Sequence, residues 1–202
     1  MAGDAPGGDV MRVLVVYAHP CAESFSAALH GVVRERLAAR GWEVDDCDLY
    51  AEGFQPVLTA EERRGYLDTA TNTAPVASHV ERLRLAQAMV LVFPVWNYGY
   101  PAILKGYFDR VFLPGVSFVI EGGVVVPALH NLRRIAAVTT YGGTWWRSTL
   151  AGDPPRKLVT RQLWGLARPE RLRYLALYDM NRATARDREG FLARVGREME
   201  RL

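Results

Sequence analysis

Apolar residues along this chain fall into two patterns: short, nearly continuous valine-rich runs, and longer stretches where they recur every three or four positions. Residues 11–17 and 89–95 are of the first kind. They are too short for a helix and apolar at almost every position, as a parallel strand covered on both faces must be. Residues 134–140 and 171–178 read as two further strands. Residues 42–49 alternate, with Val44 and Leu49 among acidic neighbours, and read as a strand nearer the edge.

The second pattern fills the intervals. Across 24–40, Phe25, Ala28, Leu29, Val32, Val33 and Leu37 mark one helical face, and Gly41 supplies the stop. Thr59 and Glu62, in capping-box spacing, announce a short helix from Ala60, and another spans 76–86. Pro101 opens a helix well, because its fixed φ suits the first turn and its missing N–H has no partner there anyway. Residues 114–131 are irregular, with a small hairpin expected about Gly122 and Gly123. A helical turn at 145–150, a loop at 151–155, a helix at 156–166 and an amphipathic helix at 183–201 complete the pattern. Five strands alternating with helices predict an α/β protein with a doubly wound, five-stranded parallel sheet of order 2-1-3-4-5 and helices on both faces. The loops after strands one, three and four then converge at the carboxyl end of the sheet. Residues 1–9, small and Gly/Pro-rich, are expected to be disordered, leaving one domain over 10–202.

Half of the 202 residues are hydrophobic, enough for one sizeable core. The net charge of +3 comes from 25 basic and 22 acidic residues interspersed along the chain, which favours anionic small molecules mildly and argues little for nucleic acid, so no nucleic-acid partner is expected. The start has no signal-peptide pattern and no apolar run reaches membrane-spanning length, so a cytoplasmic location without membrane insertion is expected. Cys21 and Cys47 lie near the ends of adjacent strands and read as reduced thiols. No metal site is expected: His30 and His79 lack ligand spacing, and Asp45, Asp46 and Asp48 read as a solvated edge. Lys105 and Asp109 read as a surface i,i+4 pair.

Candidate chemistry sits in the three converging loops. After strand three come Trp96, Asn97, Tyr98, Gly99 and Tyr100, aromatic faces around an amide and a glycine, suited to a flat heterocycle. After strand one, Ser24 and Ser26 lie where a helix begins, so hydroxyls, free N–H groups and the helix dipole would all favour a phosphate, with His19 as a further donor. The simpler alternative is that Ser24 only caps the helix and His19 is a solvated loop residue. Strand four ends in Thr139, Thr140, Tyr141, Gly142 and Gly143, a second polar loop. Neither a Gly-x-Gly-x-x-Gly nor a Gly-Lys-Ser/Thr motif is present, which argues against a dinucleotide-binding Rossmann unit or an NTPase.

His19-Pro20 followed by Ser24-Phe25, the run Pro101-Ala-Ile-Leu-Lys-Gly-Tyr-Phe-Asp-Arg-Val-Phe112, and Thr139-Thr140 with Gly142-Gly143 resemble the NAD(P)H:quinone oxidoreductase family, the DT-diaphorase-like flavodoxin-fold enzymes. The resemblance implies a flavodoxin-like fold and a flavin whose phosphates rest on His19, Ser24, Phe25 and Ser26. Its ring would lie against Pro94, Val95, Trp96, Asn97 and Tyr98 on one side and Thr139, Thr140, Tyr141, Gly142 and Gly143 on the other. It also implies ping-pong hydride transfer from NAD(P)H to a quinone-like acceptor, and a homodimer for which Tyr66, Tyr107 and Phe118 would suit the interface. The first loop, and Arg188 in a stretch similar to the family's contact with the adenine half, favour FAD; Asn97 resembles the FMN-dependent azoreductases and keeps FMN as the alternative. No histidine follows His130, so the family's histidine proton relay does not carry over. Tyr141, Trp146 and Arg147 are the candidate catalytic residues instead, with Tyr141 or an ordered water as proton source and Trp145 or Trp146 at the mouth of the pocket. Two alternatives follow from the same resemblance: azoreductase-type activity, and an ancillary regulatory subunit of a membrane transporter.

Overall fold

β1 (Arg12–Tyr17), α1 (Phe25–Ala39), β2 (Glu43–Asp48), α2 (Ala60–Arg64), α3 (Ala77–Leu85), β3 (Ala88–Val95) and α4 (Ala102–Val111) form the first half of the chain. The second half runs β4 (Phe118–Glu121), β5 (Val124–Pro127), β6 (Arg134–Tyr141), α5 (Trp145–Leu150), α6 (Pro154–Lys157), α7 (Trp164–Ala167), β7 (Arg171–Leu177) and α8 (Ala185–Glu200). The structure, a computed structural model, describes residues 10–202, so the disorder expected at 1–9 lies outside the described residues. Five parallel strands form one sheet in the order β2-β1-β3-β6-β7. That is the expected 2-1-3-4-5 order once the separate β4-β5 hairpin is left out of the count. Gly122 and Gly123 turn this hairpin at φ 57 and 81, a region open to glycine.

Alternation along the central strands divides the core in two. Leu14, Val16, Leu91, Phe93, Ile135 and Ala137 face α3 and α4, while Val13, Val15, Val90, Val92, Ala136 and Val138 face α1 and α8. Both faces are covered, which is why the strands read as unbroken apolar runs. Helix starts follow the sequence signals. Ser24 Oγ accepts the Ala27 N–H at 3.1 Å, and both halves of the Thr59–Glu62 capping box are made. Lys105 and Asp109 pair at 2.5 Å.

Several expectations need correction. The single helix expected at 156–166 begins at Pro154 and is interrupted by a π-helical segment, Leu158–Leu163, between α6 and α7. Thr160 Oγ1 donates back to the Arg156 carbonyl at 2.8 Å within this wider turn. Tyr107 is fully buried, so it cannot belong to a dimer face; Tyr66 and Phe118 are half-buried beside a surface groove. Tyr100 turns into the protein, donating from its hydroxyl to the Pro155 carbonyl at 3.0 Å and packing edge-on to Phe93. Cys21 is exposed and Cys47 buried, both as free thiols. Among the described residues, no helix is long and apolar enough to cross a membrane.

Candidate active site

Parallel strands deliver the loops after β1, β3, β6 and β7 to the same end of the sheet. The first loop leads into α1, whose opening N–H groups have no helical acceptors and whose first turn holds no acidic residue. Ser24 is half-buried and caps the helix, Phe25 is half-buried and Ser26 is buried. The capping role anticipated as the simpler alternative is therefore present. His19 Nδ1 accepts the Cys21 N–H at 3.0 Å, which puts the proton of the neutral ring on Nε2. The same ring meets Trp96 edge-on at 5.6 Å and so joins the first loop to the second.

The second loop is a tight turn. Trp96 and Gly99 exchange backbone hydrogen bonds of 3.2 and 2.8 Å, with Asn97 at φ 49 and Tyr98 at φ 56 between them. Two consecutive positive φ values are the geometry of a type I′ turn. Asn tolerates it and Tyr does not, so the loop stores roughly 1–2 kcal/mol at Tyr98. Its consequence is exposure: Trp96 is 42% and Tyr98 45% accessible, above a floor of buried Pro94 and half-buried Val95.

The third loop carries Gly142 and Gly143 between buried β6 and α5. A Cβ on Gly143 would grow toward the Tyr98 hydroxyl 4.0 Å away, and one on Gly142 would come to 3.6 Å from Asn181. Gly143 thus presents a bare ledge to Tyr98 of the aromatic turn, and Gly142 one to Asn181. Beside it lies a cleft of ≈ 520 Å³ lined by Gly142, Gly143, Thr144, Trp146, Arg147, Asp179, Asn181 and Arg182. Trp146 borders it while Trp145 stays outside its lining, and the Arg147 guanidinium lies 5.3 Å over the Trp146 ring. Thr139 and Thr140 are buried below, and the Thr139 and Thr144 hydroxyls are shielded without partners among the described residues.

Tyr141 points elsewhere. Only 2% exposed, it hydrogen-bonds Asp153 at 2.7 Å and the Tyr174 hydroxyl at 2.5 Å, and stacks on Tyr178. Burial, then the Tyr174 phenol and the Asp153 carboxylate, push its own phenol far above the ordinary range. The hydroxyl is thus turned to Asp153 and Tyr174 and does not line the cleft, which weighs against Tyr141 as the proton source expected there.

A fourth loop went unpredicted. Asp179 donates its N–H to the Gly143 carbonyl at 2.8 Å and Met180 to the Tyr141 carbonyl at 2.9 Å, stitching the β7 loop to the glycine ledge. Arg182 is oriented there by Asp179, at 2.8 Å. The signal was present in Asp179-Met180-Asn181-Arg182, a polar run following the last strand. Arg188 lies exposed in the first turn of α8 and lines neither this cleft nor the adjoining one of ≈ 360 Å³, to which Arg182 and Arg194 contribute.

A 2-1-3-4-5 parallel sheet with a capped helix start, an aromatic turn and a glycine loop gathered at its carboxyl end defines a flavodoxin-like protein. A model of the flavodoxin-like fold family matches residues 11–199, and the chain belongs to that family. It is 33% identical over 108 residues to the uncharacterized NAD(P)H oxidoreductase YcaK of Escherichia coli (strain K12), covering 53% of this chain and 55% of that one. It is 32% identical over 149 residues to human ribosyldihydronicotinamide dehydrogenase (quinone), covering 66% of this chain and 64% of the relative. The chain thus spans between about half and two thirds of these relatives' length. Smu.1420 of Streptococcus mutans UA159 superposes with a TM-score of 0.84 at 26% identity, over 95% of this chain and all of that one.

Proposed function

We propose that this protein is a flavin-dependent NAD(P)H oxidoreductase that passes two electrons to a quinone-like acceptor, nicotinamide and acceptor using one site in turn. The reading rests above all on the meeting, at the carboxyl end of the sheet, of the Ser24-capped start of α1, the exposed Trp96–Tyr98 turn and the side-chain-free Gly142–Gly143 loop with its cleft. The names of its sequence relatives, NAD(P)H oxidoreductase and quinone dehydrogenase, support the same class.

The flavin, when bound, supplies the hydride chemistry. The chain's residues bind and orient it. The N–H groups of Phe25 and Ser26, the Ser24 hydroxyl and His19 Nε2–H serve the phosphates, helped by the α1 dipole. Pro94, Val95, Trp96, Asn97 and Tyr98 form one wall of the ring slot. Thr139 and Thr140 would floor the other side, and backbone N–H groups at Gly142 and Gly143 would be available to the ring's polar edge. Trp146 would offer an apolar face to a flat acceptor, and Arg147 and Arg182, which line the same cleft, would supply positive charge beside it. Tyr141 acts from below as a positioning residue for the ledge. FAD fits the first loop, with FMN as the alternative that Asn97 favours. A homodimer is consistent with the exposed Ile120, Val124 and Val125 of the hairpin and a groove of ≈ 590 Å³ lined by Tyr66, Phe108, Phe112 and Phe118.

The test is direct. The purified protein is expected to be yellow, to release FAD on acid treatment, and to oxidise NADH or NADPH with menadione along parallel double-reciprocal lines. A colourless protein that neither takes up added flavin nor consumes NAD(P)H overturns the assignment.

A further inference from the structure

On the α3–α4 face of the sheet, at the carboxyl end of β2, lies a second cluster that the flavin site does not use. Cys47 is the buried fifth residue of β2, Glu52 belongs to the turn that follows, and His79 stands on α3. Cys47 Sγ is 3.8 Å from His79 Nδ1 and 3.9 Å from Glu52 Oε2, and one ligand atom from each residue lies within 4.8 Å of the other two.

Those separations lie at the outer limit for hydrogen bonds to sulfur, and they also suit metal ligands. A zinc ion with ordinary Zn–S, Zn–N and Zn–O distances holds a tetrahedral thiolate sulfur about 3.6 Å from a neighbouring nitrogen or oxygen. Closing the present gaps to that value takes shifts of only about 0.2–0.3 Å along the two sulfur edges. We propose that Cys47, Glu52 and His79 form a binding site for a thiophilic divalent transition-metal ion, of which Zn²⁺ is the type case.

A second observation points into the same place. Tyr107 on α4 is fully buried, its hydroxyl has no partner among the described residues, and its ring meets His79 edge-on at 5.8 Å. A metal ion with three protein ligands keeps a fourth position for solvent, and a solvent molecule there gives the stranded phenol a hydrogen-bonding neighbour.

The surroundings orient the ligands. Arg82, one turn after His79, grips both Glu52 oxygens at 2.8 and 2.9 Å and Asp45 at 2.7 Å, fixing the carboxylate and leaving Oε2 turned toward the thiol. Phe54 holds the imidazole plane from the side, edge-on at 5.0 Å. Charge balances: thiolate and carboxylate match a divalent ion, and Asp45 answers Arg82. When the metal–sulfur bond forms, the thiol proton leaves to solvent. The His79 and Glu52 side chains, 14% and 33% exposed, provide the entry path. The soft sulfur ligand selects Zn²⁺ and similar ions over Mg²⁺ or Ca²⁺. Bound metal would staple the β2 turn to α3.

The experiment uses the purified protein carrying Cys21→Ser, so that Cys47 is its sole thiol, stripped with a chelator and then given Zn²⁺. One equivalent should be retained through gel filtration, with zinc-edge X-ray absorption reporting one sulfur at about 2.3 Å beside nitrogen or oxygen at about 2.0–2.1 Å. The melting temperature should rise on zinc addition. Cys47→Ser should weaken zinc at least about 100-fold, the upper range for loss of a mere supporting contact. Less than half an equivalent retained, or no sulfur scatterer, overturns the site. Should Cys47→Ser fail to fold, His79→Gln and Glu52→Gln decide it, since unchanged zinc affinity in both refutes the proposal. Flavin content and NAD(P)H consumption, measured on the metal-free protein, report on the oxidoreductase reading separately.

Discussion

Gly106→Ala sets two familiar effects against each other. Alanine is the better helix former by about 1 kcal/mol, so propensity alone predicts a more stable α4. The structure predicts the reverse. A Cβ at Gly106 would stand 2.2 Å from the Pro56 carbonyl oxygen and 2.4 and 2.5 Å from Pro56 Cβ and Cα. Non-bonded carbons prefer roughly 3.5–4.0 Å, so α4 or the Pro56 segment must retreat by about 1 Å. Retreat is resisted, because Ile103, Leu104, Tyr107, Phe108 and Val111 bury the helix against its neighbours. Overpacking of this kind costs about 1–3 kcal/mol, and three backbone-linked contacts place it near the upper end. After the propensity gain, a net loss of about 2 kcal/mol remains, which for a chain of this size lowers the melting temperature by roughly 4–8 °C. Because α4 starts directly after the aromatic turn, flavin retention should fall as well. Urea unfolding, with flavin fluorescence as a second readout, checks both. A variant whose urea midpoint rises would refute the close-approach account of this glycine.

Three further outcomes follow from the same geometry. Gly143→Val should cost far more flavin affinity than Tyr98→Phe, because the valine fills the slot while the phenylalanine keeps its wall; a visible-spectrum comparison of the two purified variants in which the valine form stays yellow and the phenylalanine form bleaches contradicts the proposed slot. Glu62 is raised by burial, but the Thr59 N–H and the Arg110 guanidinium outweigh this and hold its carboxyl below the usual range. Its folded pKa therefore lies under its unfolded value of about 4.3, so the contact stabilises fully above that pH and is lost as pH falls through the folded pKa. Glu62→Gln should cost about 1 kcal/mol at neutral pH and flatten the acid limb of stability against pH; an unchanged limb means the pair contributes nothing. Finally, Arg182→Ala should loosen FAD more than Arg188→Ala does, since Arg182 lines both clefts and Arg188 neither; isothermal titration showing the opposite order restores Arg188 as the adenine-side contact.

What could be read from the chain and what could not divide along a physical line. Val13 to Tyr17 and Val90 to Val95 announced themselves as covered strands because burial on both faces leaves its mark at every consecutive position. Ser24 and the Thr59–Glu62 pair announced helix starts because a cap is made within three residues. From five such strands right-handed crossovers place helices on both faces, and the flavodoxin-like order 2-1-3-4-5 then brings the loops to one end of the sheet.

Side-chain direction at the loop ends belongs to the tertiary structure. Tyr141 looked like a group at the site, yet Asp153 and Tyr174 draw its hydroxyl inward, and nothing local to residue 141 encodes partners 12 and 33 positions away. Tyr107 read as surface aromatic, but the α4 register buries it. Asn181 and Arg182 reach the glycine ledge only because β7 pairs beside β6. The cluster of Cys47 and His79 spans 32 residues with no spacing motif, and it exists because β2 and α3 pack together. Local pattern determines which elements form and where their ends fall, since backbone geometry and burial act within a few residues. Which side chains meet between those elements depends on register and packing across the whole sheet, and that is decided only when the chain has folded.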